Sequence, residues 1–406
     1  MNQRKKFARQ IALIIFLSGC ILSKSGAQSS AGYGIKLQAI RGSVYPHDKQ
    51  IKKIIDQPVS GAELSVEYQT LGEKPWQQYN NFPVVGVGAV WLNLGNPSQL
   101  GHAFALYPYI NYRLLDTKFF KLRVKAGMGA SYLTKTYYNT NADNYQSLQS
   151  GNAAIGSNLN VYFSGGGSLE IPIYNGLSLT ADYTWNHMSN GSVVVPNSGL
   201  NLLNAFAGIK YTPNYKPFNR PEKAEHPDLN RNIKWECILS GGVRQLFYRD
   251  KKNFPIGSIS IAAYKPLSNF YQMGLGVDGF YDGAYDGNTK FERSYITSDQ
   301  LQNKLRAGIS WRHELLLGKI TAGLQFGIYL YDPLKNLEPK DLVVSNGGLP
   351  LNKPLIYPYD IDFEDGWLYT RAVFKYAVTD HILLSVGLKT HLQKAEFIEW
   401  GVGYKL

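Results

Sequence analysis

Between Leu177 and Ser189 the chain reads LSLTADYTWNHMS. Leu177, Leu179, Ala181, Tyr183 and Trp185 alternate with Ser178, Thr180, Asp182, Thr184 and Asn186. Side chains along a strand point to opposite faces in turn, so this segment has one apolar face and one polar face. His187 and Ser189 continue the apolar side. The same alternation recurs along the chain. Leu122, Val124, Ala126, Met128, Ala130 and Tyr132 alternate with Lys121, Arg123, Lys125, Gly127, Gly129 and Ser131. Ile320, Ala322, Leu324, Phe326, Ile328 and Leu330 alternate with Lys319, Thr321, Gly323, Gln325, Gly327 and Tyr329. The last segment repeats it through Ile398, Trp400, Val402, Tyr404 and Leu406.

A soluble β-sandwich also alternates. Two features favour a membrane barrel. The alternating runs are about 10–13 residues long, against a usual strand of about 5–6. Their polar faces also carry Lys, Arg, Asp and Glu in mid-strand, as a small barrel's interior does. Glu170, Asp182, Arg123 and Lys125 are expected to pair there. Composition agrees: 29 Tyr and 40 Gly stand beside only 18% charged residues, and the mean hydropathy is −0.24. The fold class expected is all-β, an antiparallel outer-membrane β-barrel.

The first residues read as a secretion leader, with Arg4, Lys5, Lys6 and Arg9 ahead of an apolar run from Ile11 to Leu22. Cleavage after Ala27 is favoured, at the small-residue site Ser25-Gly26-Ala27; lipidation at Cys20 is the competing reading. Residues 1–27 hold five basic and no acidic residues, so their removal lowers the net charge from +12 to +7. That balance gives no case for nucleic acid; it suits anionic headgroups or charged barrel interiors. With Cys20 in the leader, Cys237 is left alone, so neither a disulfide nor a cysteine metal site is expected. Cys237 itself is expected to be a buried small apolar residue beside Trp235 and Leu239. No cofactor is called for.

Connections alternate in length. Leu115–Lys118, Tyr174–Gly176, Leu316–Gly318 and Thr379–His381 are tight; Tyr45–Gly61, Lys135–Gly156, Tyr281–Gln300 and Asp332–Gly366 are long. Short periplasmic turns and long external loops are the pattern of these barrels. Strand signals number about eight on each side of a Pro- and Asn-rich stretch. The expected layout is a signal peptide (1–27), a first barrel repeat (28–213), a linker (214–233) and a second repeat (234–406). Two tandem eight-stranded barrels and one barrel of about sixteen strands both satisfy this pattern.

A base and a hydroxyl on the greasy side of a strand suggest an ester hydrolase whose substrate lies in a membrane. A serine hydroxyl needs an adjacent base. His187 and Ser189 share a face, with α-carbons about 6–7 Å apart. The imidazole needs an orienting partner, and Asn201 opens the next strand on the matching face. Asp182 is on the other face. Asn190, Gly191 and Asn197 are candidate oxyanion or substrate-binding donors. An N-terminus in the periplasm would put this seventh strand's end at the outer leaflet. The second repeat places Leu392 and Lys394 where His187 and Ser189 stand, and His391 falls on its polar face, so that copy lacks the constellation.

His187-Met188-Ser189-Asn190-Gly191 with Pro196-Asn197-Ser198-Gly199-Leu200-Asn201 resembles the signature of the PagL-type lipid A 3-O-deacylases, also described as acyloxyacyl-hydrolase-like proteins. Gly95-Asn96-Pro97-Ser98-Gln99-Leu100-Gly101-His102 resembles a second segment of that family. Over residues 31–213 the resemblance implies an eight-stranded outer-membrane barrel, Ser189 as nucleophile, His187 as base, and hydrolysis of a fatty-acyl ester of lipid A or another outer-leaflet acyl lipid. The family's best-known members carry Glu where this chain has Asn201. The alternative is a non-enzymatic barrel, a channel, scaffold or adhesin, with a decayed site.

Overall fold

The computed structural model describes residues 32–46, 49–140, 152–213, 215, 229–246, 252–286, 299–336, 353–359, 366–391 and 394–406. The expected leader, with Cys20 and Ala27, lies outside them, as does most of the expected linker. Eight strands form the first barrel: β1 (Tyr33–Tyr45), β2 (Val59–Gln69), β3 (Val84–Asn93), β4 (His102–Asp116), β5 (Lys121–Leu133), β6 (Leu159–Tyr174), β7 (Leu177–Ser189) and β8 (Leu200–Tyr211). Each pairs antiparallel with the next, and β8 returns to β1 with Asn201 opposite Tyr45. The second barrel comprises β9 (Lys234–Arg244), β10 (Phe254–Pro266), β11 (Tyr271–Asp282), β12 (Leu305–Leu317), β13 (Ile320–Tyr331), β14 (Leu368–Ala377), β15 (Ile382–His391) and β16 (Lys394–Lys405). It closes where β16 pairs with β9. The fold is all-β: two closed antiparallel barrels of eight strands. The single barrel of about sixteen strands is excluded, because each set of eight returns to its own first strand.

Alternation sets the inside and outside of each barrel. In β7 the side chains of Leu177 to Trp185 are exposed at every odd position and buried at every even one. Eight strands leave room for side chains and little else. In the first barrel that room holds an ionic lattice. Lys36 lies 3.3 Å from both Glu67 and Asp182. Lys125 reaches Glu63 at 3.0 Å and Asp182 at 3.4 Å. Lys210 bridges Glu67 (2.7 Å) and Glu170 (3.1 Å), and Arg123 also meets Glu170. The Tyr107 and Tyr109 hydroxyls donate to Glu63 and Glu67. A buried charge is tolerated only when paired and hydrogen-bonded.

The second barrel is built around Asp278. It accepts hydrogen bonds from Ser260 (2.7 Å), Ser310 (2.6 Å), Tyr369 (2.8 Å), Arg312 (2.7 Å) and Arg371 (3.1 Å). Arg371 also pairs with Glu399, and Lys375 with Glu236 and Glu314. Arg312 fits because Gly276 faces it: a Cβ there would lie 2.3 Å from its guanidinium. His391 is buried on this interior face, 3.4 Å from Glu396.

Two details differ from the sequence reading. Cys237 is exposed rather than buried, on the outward face with Trp235 and Leu239. Parity predicted the face, but an outward side chain of a barrel meets surroundings, not core. Between β2 and β3 the connection is long, although it is at the short-turn end, and it includes a helix at Pro75–Tyr79. It is tied down by Gln69 Nε2 to Phe82 O (3.0 Å) and by Thr70 Oγ1 to Pro83 O (2.6 Å). The β6–β7 turn is as tight as expected. Asn175 and Gly176 have φ of 40° and 85°, the left-handed pair that two-residue hairpins favour.

Because the second barrel closes on itself, residues 229–406 expressed alone should be β-rich and heat-modifiable in detergent. Asp278→Ala takes the carboxylate from the buried Arg312 guanidinium and leaves Arg371 with Glu399. It should lower unfolding stability by about 3–5 kcal/mol, read from urea titration of the refolded barrel. An unchanged midpoint would contradict the role given to Asp278.

Candidate active site

β7 carries His187 and Ser189 at the end of its outward face, and β8 begins beside them. The antiparallel register sets Asn201 directly opposite His187. There the His187 Nδ1 and Asn201 Oδ1 are 2.7 Å apart. An amide oxygen only accepts, so Nδ1 carries the proton and Nε2 of the neutral ring keeps a lone pair. Trp185, two residues before on the same face, stacks on the imidazole with ring centroids 5.5 Å apart and planes at 16°. The opposing strand places Phe163 across from His187 and Val161 across from Ser189. His187 is half-buried and Ser189 is buried. The hydrogen bond that fixes the ring is to Asn201; the Ser189 hydroxyl is not bonded to it among the described residues.

Gly199 adds a steric clamp. Its φ is +81°, and a Cβ there would lie 2.7 Å from His187 Cε1. Only glycine offers both this backbone and this clearance. Its N–H donates to Ala154 O at 2.9 Å, so the loop before β8 is braced on the one before β6.

The loop after β7 settles the other candidates. The backbone N–H of Asn190 donates to Asn197 Oδ1 (3.0 Å), and its Nδ2 donates to Ser157 Oγ (2.8 Å). Asn190 is thus a loop anchor. Its bond turns the Asn197 amide toward the end of β7, and Asn197 Nδ2 is buried with no hydrogen-bond partner among the described residues. Gly191 follows with φ +59°. Asp182 points inward, into the ionic lattice. Among the described residues no group of three or more His, Cys, Asp or Glu is placed to hold a metal ion.

The segment from Gly95 to His102 is a brace as well. Asn96 Oδ1 accepts from Gln99 N (3.1 Å) and Ser98 Oγ (2.8 Å), while its Nδ2 donates to Ile54 O (2.9 Å). Asn152 Nδ2 donates to Gln99 O at 2.9 Å. These bonds lace together the loops before β2, β4 and β6. Sequence reasoning gave Trp185 no part beyond the apolar face of its strand; the Trp185-x-His187 spacing on one face was the available signal.

Residues 60–210 match the family model of the lipid A 3-O-deacylase PagL. Residues 233–341 and 355–406 match that of the acyloxyacyl hydrolase C-terminal domain. The first barrel thus carries the PagL family domain, and the second the acyloxyacyl hydrolase C-terminal domain. These family domains and the two closed barrels indicate an outer-membrane protein. No curated protein sequence matches it. Among solved structures, Neisserial surface protein A is 11% identical with a TM-score of 0.30, covering 45% of this chain and 97% of its own. The outer membrane enzyme PagL is 19% identical with a TM-score of 0.28, covering 43% and 98%. A mutant of the Rh. blastica porin is 9% identical with a TM-score of 0.19, covering 92% and 100%. Scores this low carry no argument beyond the family match.

Gly199→Val should push the imidazole off Asn201. In a crystal structure of that variant the Nδ1–Oδ1 separation should exceed about 3.5 Å, the limit of a hydrogen bond. An unmoved ring would refute the clamp.

Proposed function

We propose that the first barrel hydrolyses a fatty-acyl ester of lipid A, with Ser189 as nucleophile, His187 as base and Asn201 orienting the imidazole. The observation that carries this reading is the His187–Asn201 hydrogen bond on the outward face of a PagL-family barrel. With Nδ1–H engaged, Nε2 is left to take the Ser189 proton as Oγ attacks the ester carbonyl. Asn197 Nδ2 and the backbone around Gly191 are the donors for the oxyanion. His187 then returns the proton to the departing sugar oxygen, leaving an acyl group on Ser189. Water, deprotonated by His187, attacks that acyl-enzyme and releases the fatty acid. The Ser189–His187 hydrogen bond is formed on substrate binding, as catalytic contacts often tighten only in the complex.

Asn201 is neutral, and the outward faces of β1–β8 carry no carboxylate. The imidazolium formed during each transfer therefore meets the Asn201 dipole and the Trp185 ring face, which offset its charge. A cation against an indole is stabilised by the ring quadrupole.

Purified protein should lower the mass of lipid A by one fatty-acyl group, read by mass spectrometry. Ser189→Ala and His187→Ala should each abolish this, with the double variant little worse, since members of one catalytic unit are not additive. Deacylation by Ser189→Ala at the parent rate would falsify the mechanism. Asn201→Ala should reduce turnover, and Asn201→Glu should preserve or raise it. Trp185→Leu should reduce turnover about fivefold, and by less in the Asn201→Glu background. An equal loss in both backgrounds would leave Trp185 with a packing role alone.

A further inference from the structure

Arg41 breaks the rule that the first barrel otherwise keeps. Every other Lys, Arg, Asp and Glu within β1–β8 belongs to the inward alternation or pairs with it. Arg41 projects outward, between Ala39 and Ser43, and is exposed. No hydrogen bond or ion pair joins it to any other of the described residues. A cation on the lipid face is costly at the bilayer midplane and nearly free at its edge. Register puts Arg41 at the edge of the sheet on the β2 side. It lies opposite Ser60, the second residue of β2, and Ser60 lies opposite Asn93, the last residue of β3. On the other side Arg41 faces Ala205, which faces Tyr183 of the catalytic strand. Tyr45, four residues on, pairs with Asn201, the partner of His187. Arg41 is thus two strands from β7, on the same outward face. The connection that follows it carries Lys49 and Lys52, both exposed, and Asp56 as an exposed acid.

A guanidinium with no partner among the described residues, beside the membrane rim, calls for an anion. Its planar fork fits a phosphate through two parallel hydrogen bonds, and its stem lets the head rise to headgroup level. We propose that Arg41 is a phosphate subsite: it binds a phosphate of the outer-leaflet glycolipid whose acyl ester reaches Ser189. The inference rests on the esterase reading for the identity of that lipid. Its physical role is to hold the headgroup so that the ester lies beside β7. Lys49 and Lys52 add positive potential to the same rim.

The test uses full-length Ser189→Ala protein in neutral detergent, which retains lipid without turnover. Retention of lipid A bearing its phosphates is compared with lipid A stripped of them, by native mass spectrometry. The phosphorylated lipid should be held about tenfold better, as expected for a charge-assisted pair. Adding Arg41→Gln should erase that difference, and Arg41→Lys should keep part of it. Heat-modifiable migration establishes that each variant is folded. Equal retention of the two lipids, or a preference that survives Arg41→Gln, overturns the subsite. Displacement of the lipid by low-millimolar inorganic phosphate would overturn the lipid as ligand; none is expected. Hydrolysis by the parent protein is followed in parallel. Arg41-dependent binding without any hydrolysis would sink the esterase reading and leave the subsite standing. Hydrolysis with binding indifferent to Arg41 would do the reverse. In the active protein Arg41→Gln should raise KM about tenfold and change kcat by less than about twofold, the pattern of a contact made equally in ground and transition states.

Discussion

A strand that crosses a bilayer cannot leave its backbone N–H and C=O groups unpaired, because the hydrocarbon offers no replacement for water. Everything else in this chain follows from meeting that demand twice. β8 must return to β1 and β16 to β9, and each closure leaves a lumen just wide enough for side chains. Polar residues of every strand then have one place to go. They arrive there as charges of both signs, so that Lys36, Lys125 and Lys210 neutralise Glu63, Glu67, Glu170 and Asp182 in one lattice. In the second barrel Asp278 does the same between Arg312 and Arg371.

The candidate active site belongs to the opposite face. The outward faces of β1–β8 carry no carboxylate, so a neutral amide meets the imidazole there. Asn201 engages Nδ1, and Trp185 adds an apolar surface with a negative ring face. The loops beyond the rim, braced through Asn96, Asn152, Ala154 and Asn190, hold Gly199 and Asn197 against the two strands.

The second barrel has the frame without that constellation. Two residues separate β15 from β16, where ten separate β7 from β8. A connection that short has no length for the stretch that, in the first barrel, carries Asn190, Asn197 and Gly199. Its only histidine on β15, His391, faces the lumen.

Strand alternation, with the length of the runs and the charges on their polar faces, determined the membrane barrel; alternation alone determined the outward placement of His187, Ser189 and Asn201, and the inward placement of Asp182 and His391. These follow from a period of two, which is local and survives in any closed arrangement. Arg41 as an outward charge, beside Ser60 and in line with Asn93, came from the structure. Tertiary structure decided the number of barrels, because strands of identical pattern can close after eight or after sixteen; only the partner of β8 distinguishes the two. It likewise decided which donors remain free. Asn190 and Asn197 look equivalent in sequence, yet Asn190 is engaged by Ser157 and by Asn197 itself, leaving the Asn197 amide N–H group without a partner among the described residues. Contacts such as Gly199 to Ala154 join residues far apart in the chain, and no local periodicity records them.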